Sequence, residues 1–155
     1  MKKALTFIIP VIVCIGVGFT ASHFQADAIQ TWYPSLEKPS LTPPNWVFPV
    51  VWSILYVMMG LSIGFILISN TKRRWFFINL FILQLLFNFT WSITFFYIKD
   101  PLSGFINILI LDVLVIFYVI ESYHVVRRAS LLFMPYALWI LFATYLNGYI
   151  MVHNL

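Results

Sequence analysis

The stretch from Trp46 to Ser69 decides the fold, and it reads WVFPVVWSILYVMMGLSIGFILIS without a single charged side chain. A helix needs about 20 mainly apolar residues to cross the roughly 30 Å hydrocarbon core of a bilayer. The run meets this length and lacks the strict alternation of a membrane barrel strand. It therefore predicts a transmembrane helix.

Four further runs in the chain meet the same requirement. The chain is 62% hydrophobic and only 9% charged, which leaves too few polar side chains to cover a water-soluble domain of this length. We predict an all-α membrane protein, a five-transmembrane-helix bundle forming one domain over residues 1–155. The predicted spans are residues 4–22, 46–69, 75–98, 102–120 and 131–152.

The basic residues indicate the orientation of the bundle. With five spans, three clusters of lysine and arginine fall on one side of the membrane, and such an excess marks cytoplasmic loops. We predict a cytoplasmic N-terminus and a C-terminus outside, in a multi-pass protein of a bacterial plasma membrane. The clusters also account for the net charge of +4 without a nucleic-acid partner. They are Lys2–Lys3, Lys72–Arg74 and Arg127–Arg128.

The first apolar run admits a second interpretation. Basic residues before it and Ala26-Asp27-Ala28 after it also fit a cleaved signal peptide, whose loss would leave four spans in the same orientation. We interpret it as a retained span, because Cys14, Gly18 and Ser22 form a small-residue stripe suited to helix packing. The same stripe permits a dimer contact. The lone cysteine predicts neither a disulfide framework nor a metal site.

The long connector over residues 23–45 is rich in proline and aromatic residues. Pro34, Pro39, Pro43 and Pro44 each fix φ and disfavour a continuing helix, so we predict a stiff, irregular segment. Long structured loops are often functional, which suggests a lid over a binding site. The alternative is an interfacial aromatic anchor followed by the prolines that begin the second helix.

Polar and aromatic residues recur along single helix faces inside the spans. Span three carries Gln84, Asn88 and Ser92 at every fourth position, with Trp91 beside them. Such a stripe either joins helices by hydrogen bonds or faces a ligand. Span five repeats the pattern with Trp139, Ala143 and Asn147, and span two carries Trp52 one turn before Tyr56.

Asp112 stands near the middle of the fourth span. An ionised acid there costs on the order of 2.5–3.5 kcal/mol on insertion scales, so it must face the bundle or be neutral. It is either a ligand or proton site or a buried, hydrogen-bonded acid. By depth, the polar and aromatic residues of spans two, three and five can surround one cavity in the outer half of the membrane. Such a cavity suits a large planar apolar molecule.

Several aromatic and proline-rich motifs follow one another in order along nearly the whole chain. The motifs are WY at 32–33, KPSLTPPNWVF at 38–48, VWSILY at 51–56, NFTWS at 88–92, FF at 95–96, PYALW at 135–139 and FATYLN at 142–147. Together they resemble the TspO/MBR family of tryptophan-rich sensory and translocator proteins, also known as peripheral-type benzodiazepine receptors. The resemblance also favours retention of the first span.

The resemblance implies a five-helix bundle, commonly a homodimer, that binds porphyrins such as protoporphyrin IX, haem and synthetic receptor ligands. Porphyrin or haem is then a ligand, and no cofactor or metal is required. The family's pocket positions carry over onto Tyr33, Trp52, Asn88, Trp91, Trp139 and Ala143, and Asp112 matches a family acid. We add Pro43, Pro44, Tyr56 and Asn147 to this candidate ligand site.

Four functions are consistent with these observations: a porphyrin receptor or sensor, a porphyrin-degrading enzyme, a tetrapyrrole transporter and a structural scaffold. The resemblance implies the enzyme, because some bacterial members are reported to promote light- or oxygen-dependent porphyrin breakdown. The tryptophans assigned to that chemistry match Trp52 and Trp139, which are therefore our candidate catalytic residues. The family's sterol motif lacks its basic residue after Tyr149, which argues against sterol binding.

Overall fold

The computed structural model of the protein describes residues 2–154, and it contains five helices long and apolar enough to cross a membrane. The predicted five-helix bundle is confirmed. Met1 and Leu155, the ends of the predicted domain, lie outside the described residues. The helices are α1 (Lys2–Thr31), α2 (Val47–Ile68), α3 (Arg74–Ser92), α4 (Pro101–Val125) and α5 (Arg127–His153). A 3₁₀ turn covers Tyr33–Ser35, and a π-helical turn over Ile93–Tyr97 continues α3.

The predicted loop over residues 23–45 is wrong in its first part, because α1 continues to Thr31. No proline lies between residue 23 and Pro34, and the helical end gains contacts that a loop would lack. Ala28 is fully buried, and Gln25 Nε2 donates a hydrogen bond to Ser92 Oγ at 2.7 Å. The irregular segment therefore begins at Trp32, and α1 leans on α3 in its outer part.

Helices α4 and α5 are longer than the predicted spans and are separated by Val126 alone. Val126 N donates to the Ser122 carbonyl at 2.7 Å, and Ser130 Oγ donates to the Val119 carbonyl at 2.7 Å. These bonds satisfy backbone groups at the tight turn, next to the exposed Arg127 and Arg128. The two helices form an antiparallel hairpin behind α3.

Glycines bring α1 and α2 into close contact along their inner and middle turns. A Cβ on Gly60 would lie 2.5 Å from Val11 Cα, and a Cβ on Gly18 would overlap the Tyr56 ring. Small residues allow this approach of two membrane helices. Cys14 is also buried. Two members of the predicted small-residue stripe are thus used within the chain rather than on a free surface.

Candidate functional site

A cavity of about 630 Å³ lies between α1, α2, α3, the π-helical turn, α5 and the loop. Its volume falls within the roughly 300–1,000 Å³ of typical ligand sites. The structure brings seven of the predicted site residues to its wall, as expected for one shared cavity. They are Tyr33, Trp52, Tyr56, Asn88, Trp91, Ala143 and Asn147. Whether they bind a ligand stays a prediction.

Aromatic rings form most of the deep wall. The ring centroid of Trp52 lies 6.2 Å from that of Trp91, and Trp91 stacks on Phe95 at 5.9 Å with an interplanar angle of 18°. Tyr33 packs on Phe96 at 5.9 Å. Ring pairs at this spacing are favourable and hold one another in place. The wall therefore presents fixed, flat apolar surfaces.

Asn88 supplies the polar centre of the same wall. Tyr56 Oη donates to Asn88 Oδ1 at 2.8 Å, and Asn88 Nδ2 donates to Tyr136 Oη at 3.1 Å. All three residues are buried. The amide thereby joins α2, α3 and α5 at one point, which fixes the positions of both phenol groups.

Asn147 forms a second polar contact with an unused donor. Trp91 Nε1 donates to Asn147 Oδ1 at 2.9 Å. An indole N–H is a donor only, so this bond assigns the amide oxygen to the Trp91 side. The amide nitrogen of Asn147 is buried without a partner among the described residues. A hydrogen-bond acceptor on a ligand would satisfy it.

The loop closes the outer end of the cavity. Lys38 Nζ donates to the carbonyls of Tyr33 at 2.8 Å and of Leu36 at 3.0 Å. Asn154 pairs with the Glu37 backbone, accepting from its N–H at 2.8 Å and donating to its carbonyl at 3.0 Å. Burial raises the pKa of Tyr33 to about 12, so its phenol is neutral at ordinary pH. The loop backbone is thus held by Lys38 from within the loop and by Asn154 at the end of α5.

Trp139 does not line the cavity, which corrects the expectation of one pocket for both candidate catalytic tryptophans. It lies in a groove between α2 and α5 with Val51, Ile54 and Leu138. The reason is the geometry of the α-helix. Each residue turns about 100° around the helix axis, so two residues four positions apart point in directions that differ by about 40°. Tyr136, Ala143 and Asn147 lie on one face, and Trp139 lies about 60° to its side.

Asp112 and the two loop prolines are also outside the cavity lining. Asp112 accepts a hydrogen bond from Thr144 Oγ1 at 2.7 Å, because α4 packs against α5 on the far side. Pro43 and Pro44 stand at the end of the loop, where the Pro44 carbonyl accepts from Val47 N at 2.9 Å. They precede the first turn of α2 and do not form part of the cavity wall.

Sequence reasoning missed several lining residues. Phe48 and Pro49 continue the Trp52 face of α2, and one-turn spacing would have identified them. Phe95 and Phe96 form one of the family motifs, but the π-helical turn that places them on the cavity wall has no recognisable pattern in the sequence. Gln25 was hidden because its segment was assigned to the loop.

The chemistry of the lining is that of a neutral aromatic pocket. The cavity lining contains no acidic, basic, histidine, cysteine or methionine side chain among the described residues. Among residues 2–154, no group of three or more histidine, cysteine, aspartate or glutamate side chains is placed to hold a metal ion. The arrangement can therefore stack against a planar apolar molecule and offer it a few hydrogen bonds.

Comparison with known proteins agrees with this architecture. The family model described as the TspO/MBR family matches residues 10–153. The tryptophan-rich protein TspO of Archaeoglobus fulgidus is 40% identical over 156 residues, covering 97% of each chain. That of Chlorobaculum tepidum is 37% identical over 99% of this chain and 98% of its own. The human translocator protein is 30% identical over 83% of this chain and 78% of its own. The chain belongs to the TspO/MBR family.

Proposed function

We propose that the protein is an integral membrane receptor or sensor that binds porphyrins, with protoporphyrin IX as the model ligand, in its aromatic cavity. The observation that carries this proposal is the deep wall of Trp52, Trp91 and Phe95 inside a 630 Å³ cavity. A porphyrin is a broad, flat, mostly apolar ring, and stacking on fixed aromatic surfaces is the interaction that it makes best.

Haem is a second ligand in this proposal, bound through its ring faces. Haem iron in proteins is usually held by histidine, cysteine, methionine or tyrosinate. None of the first three lines the cavity. Of the two lining tyrosines, Tyr33 has a raised pKa that keeps its phenol protonated, and Tyr56 uses its phenol proton to donate to Asn88. We therefore expect metal-free protoporphyrin IX to bind at least as tightly as haem.

The experiment is an equilibrium titration of detergent-purified protein with protoporphyrin IX, followed by the porphyrin absorption band. Ala143→Phe fills the cavity wall and should abolish saturable binding, because the added ring occupies ligand space. Leu138→Phe places the same side chain on the same helix at an exposed position and should leave binding unchanged. Equal affinities for both variants would reject the cavity as the site, provided that circular dichroism shows both proteins folded.

Light-dependent porphyrin breakdown, with dissolved O₂ as the oxidant, is the alternative function. An indole can donate an electron to an excited stacked porphyrin, which then reacts with O₂, and Trp52 lines the cavity with its ring centroid 6.2 Å from that of Trp91. Illumination of the bound complex tests it. If light bleaches the porphyrin absorption band in the unmodified protein but not in Trp52→Phe, the result would favour an enzyme. A band that stays stable under light in the unmodified protein would favour a receptor. Uptake into proteoliposomes would instead indicate a tetrapyrrole transporter.

The family resemblance extends the proposal to a homodimer in a plasma membrane. Cys14 and Gly18 already pack inside the bundle. A dimer contact would therefore use a surface other than those two residues.

A further inference from the structure

The cavity has an opening on the side of the bundle, between α1 and α2. Six residues of these helices both line the cavity and are exposed on the outer surface. They form two stripes at helical spacing, one on each helix. We call them the rim: Ile15, Phe19 and Ser22 on α1, with Pro49, Ser53 and Val57 on α2.

The opening arises because the two helices change partners along their length. Near Gly18, α1 packs directly on Tyr56 of α2. Farther out, its side chains contact α3 and the π-helical turn: Gln25 bonds to Ser92, and the ring centroid of Phe24 lies 5.6 Å from that of Tyr97. The outer half of α1 thus leans away from the rim of α2, and the gap leads into the cavity.

The rim is compatible with hydrocarbon. Its two hydroxyl groups are used within their own helices, since Ser22 Oγ donates to the Phe19 carbonyl at 2.7 Å and Ser53 Oγ donates to the Pro49 carbonyl at 2.7 Å. A hydroxyl bonded in this way avoids the cost of an unsatisfied donor in lipid. The other four rim residues are apolar. The opening therefore presents no charge and no free hydroxyl donor.

The loop covers the Tyr33 side of the cavity, and Asn45 is an exposed, uncharged loop residue on the cavity wall. Tyr33 is only 7% exposed, Lys38 holds the loop backbone at Tyr33 and Leu36, and Asn154 holds it at Glu37. Movement of a large ring through the Tyr33 side would require these bonds to break. The lateral opening needs no such rearrangement of hydrogen bonds.

We propose that the ligand enters and leaves the cavity sideways, from the hydrocarbon core through the rim. The ligand class is then a planar molecule that first dissolves in the bilayer and passes edge-on between α1 and α2. This inference rests on the proposed function, because it concerns exchange at the same cavity. The association rate should depend on the molar ratio of ligand to lipid in the bilayer rather than on the concentration of ligand in the aqueous phase.

Stopped-flow kinetics with protoporphyrin IX in proteoliposomes test the route. The double substitution Ser22→Phe/Ser53→Phe narrows the rim and should slow both association and dissociation roughly tenfold, a barrier increase of about 1.4 kcal/mol. Their ratio, the affinity, should change less than either rate. Phe19→Ala should raise both rates. It removes a side chain that is 67% exposed, so it does not endanger folding.

Two controls separate the routes. Val13→Phe/Val50→Phe places the same two phenyl rings at exposed positions of the same helices outside the cavity, and should leave both rates unchanged. Asn154→Ala releases the loop and should also leave them unchanged.

Each contrary result has one meaning. Faster exchange in Asn154→Ala, or rates insensitive to the rim variants while equilibrium binding is intact, would overturn lateral entry alone. Absence of saturable binding by the unmodified protein would overturn the proposed function, and lateral entry with it.

Discussion

Asn88 uses both groups of its amide inside the membrane, accepting from Tyr56 and donating to Tyr136. Asn88→Leu should leave both phenols without this partner, and each unsatisfied buried polar group costs about 1–3 kcal/mol. We expect a lower thermal unfolding midpoint in detergent, measured by circular dichroism. Asn79→Leu makes the same change at an exposed position of α3. A similar shift in both variants would contradict the assigned role of Asn88.

Tyr33 should make the folded protein sensitive to alkaline pH. Its pKa is raised to about 12 by burial, above the ordinary value of about 10. The folded state therefore holds its proton more tightly than the unfolded state, and the associated stability is full below pH 10 and is lost as pH rises through about 12. In Tyr33→Phe, the thermal unfolding midpoint should fall less between these two pH values than it does in the unmodified protein. A profile identical to that of the unmodified protein would contradict this account.

Individual residues also show where sequence reasoning stops. Tyr56, Asn88 and Trp91 could be placed on one cavity from helical spacing and depth alone. Trp139 could not, because spacing by four looks like one face over a single turn while the drift accumulates along the helix. Asn147 was assigned to the site, but its pairing with Trp91 depends on how α3 and α5 pack.

At the scale of the elements, the existence of five helices followed from composition and length, whereas their ends did not. The outer part of α1 is helical because of Ala28 and Gln25, whose partners come from distant parts of the chain. Likewise, the π-helical turn over Ile93–Tyr97 depends on local hydrogen bonding that no residue pattern announces. Such turns are frequent at functional sites.

The packing of α1 on α2 should depend on Gly60. A Cβ at this position would lie 2.5 Å from the Val11 backbone, which cannot move as a side chain can. Gly60→Ala should therefore destabilise the protein by about 1–3 kcal/mol, the usual cost of overpacking. Thermal unfolding in detergent provides the measurement. Gly16→Ala is the matched control, since no atom lies within 4 Å of its Cβ position, and an equal loss there would contradict this packing role.

At the scale of the whole molecule, the basic clusters predict a cytoplasmic N-terminus and an external C-terminus. Alkaline phosphatase fused after the C-terminus should be active, because it folds outside the cytoplasm. Green fluorescent protein in the same position should be dark when exported through the general secretion route. The opposite pair of results would reverse the orientation and place the loop over the cavity on the cytoplasmic side.

The central claim is that the aromatic cavity binds a porphyrin, and tryptophan fluorescence tests it most directly. Purified protein is titrated with protoporphyrin IX in the dark, first unmodified and then as Trp52→Phe and Trp139→Phe. We predict saturable quenching, with the dissociation constant raised by up to about tenfold in Trp52→Phe, because the smaller ring gives up part of an aromatic contact worth about 0.5–1.5 kcal/mol. Trp139→Phe should bind as the unmodified protein does. Quenching that never saturates, or an affinity that falls only in Trp139→Phe, would contradict the account.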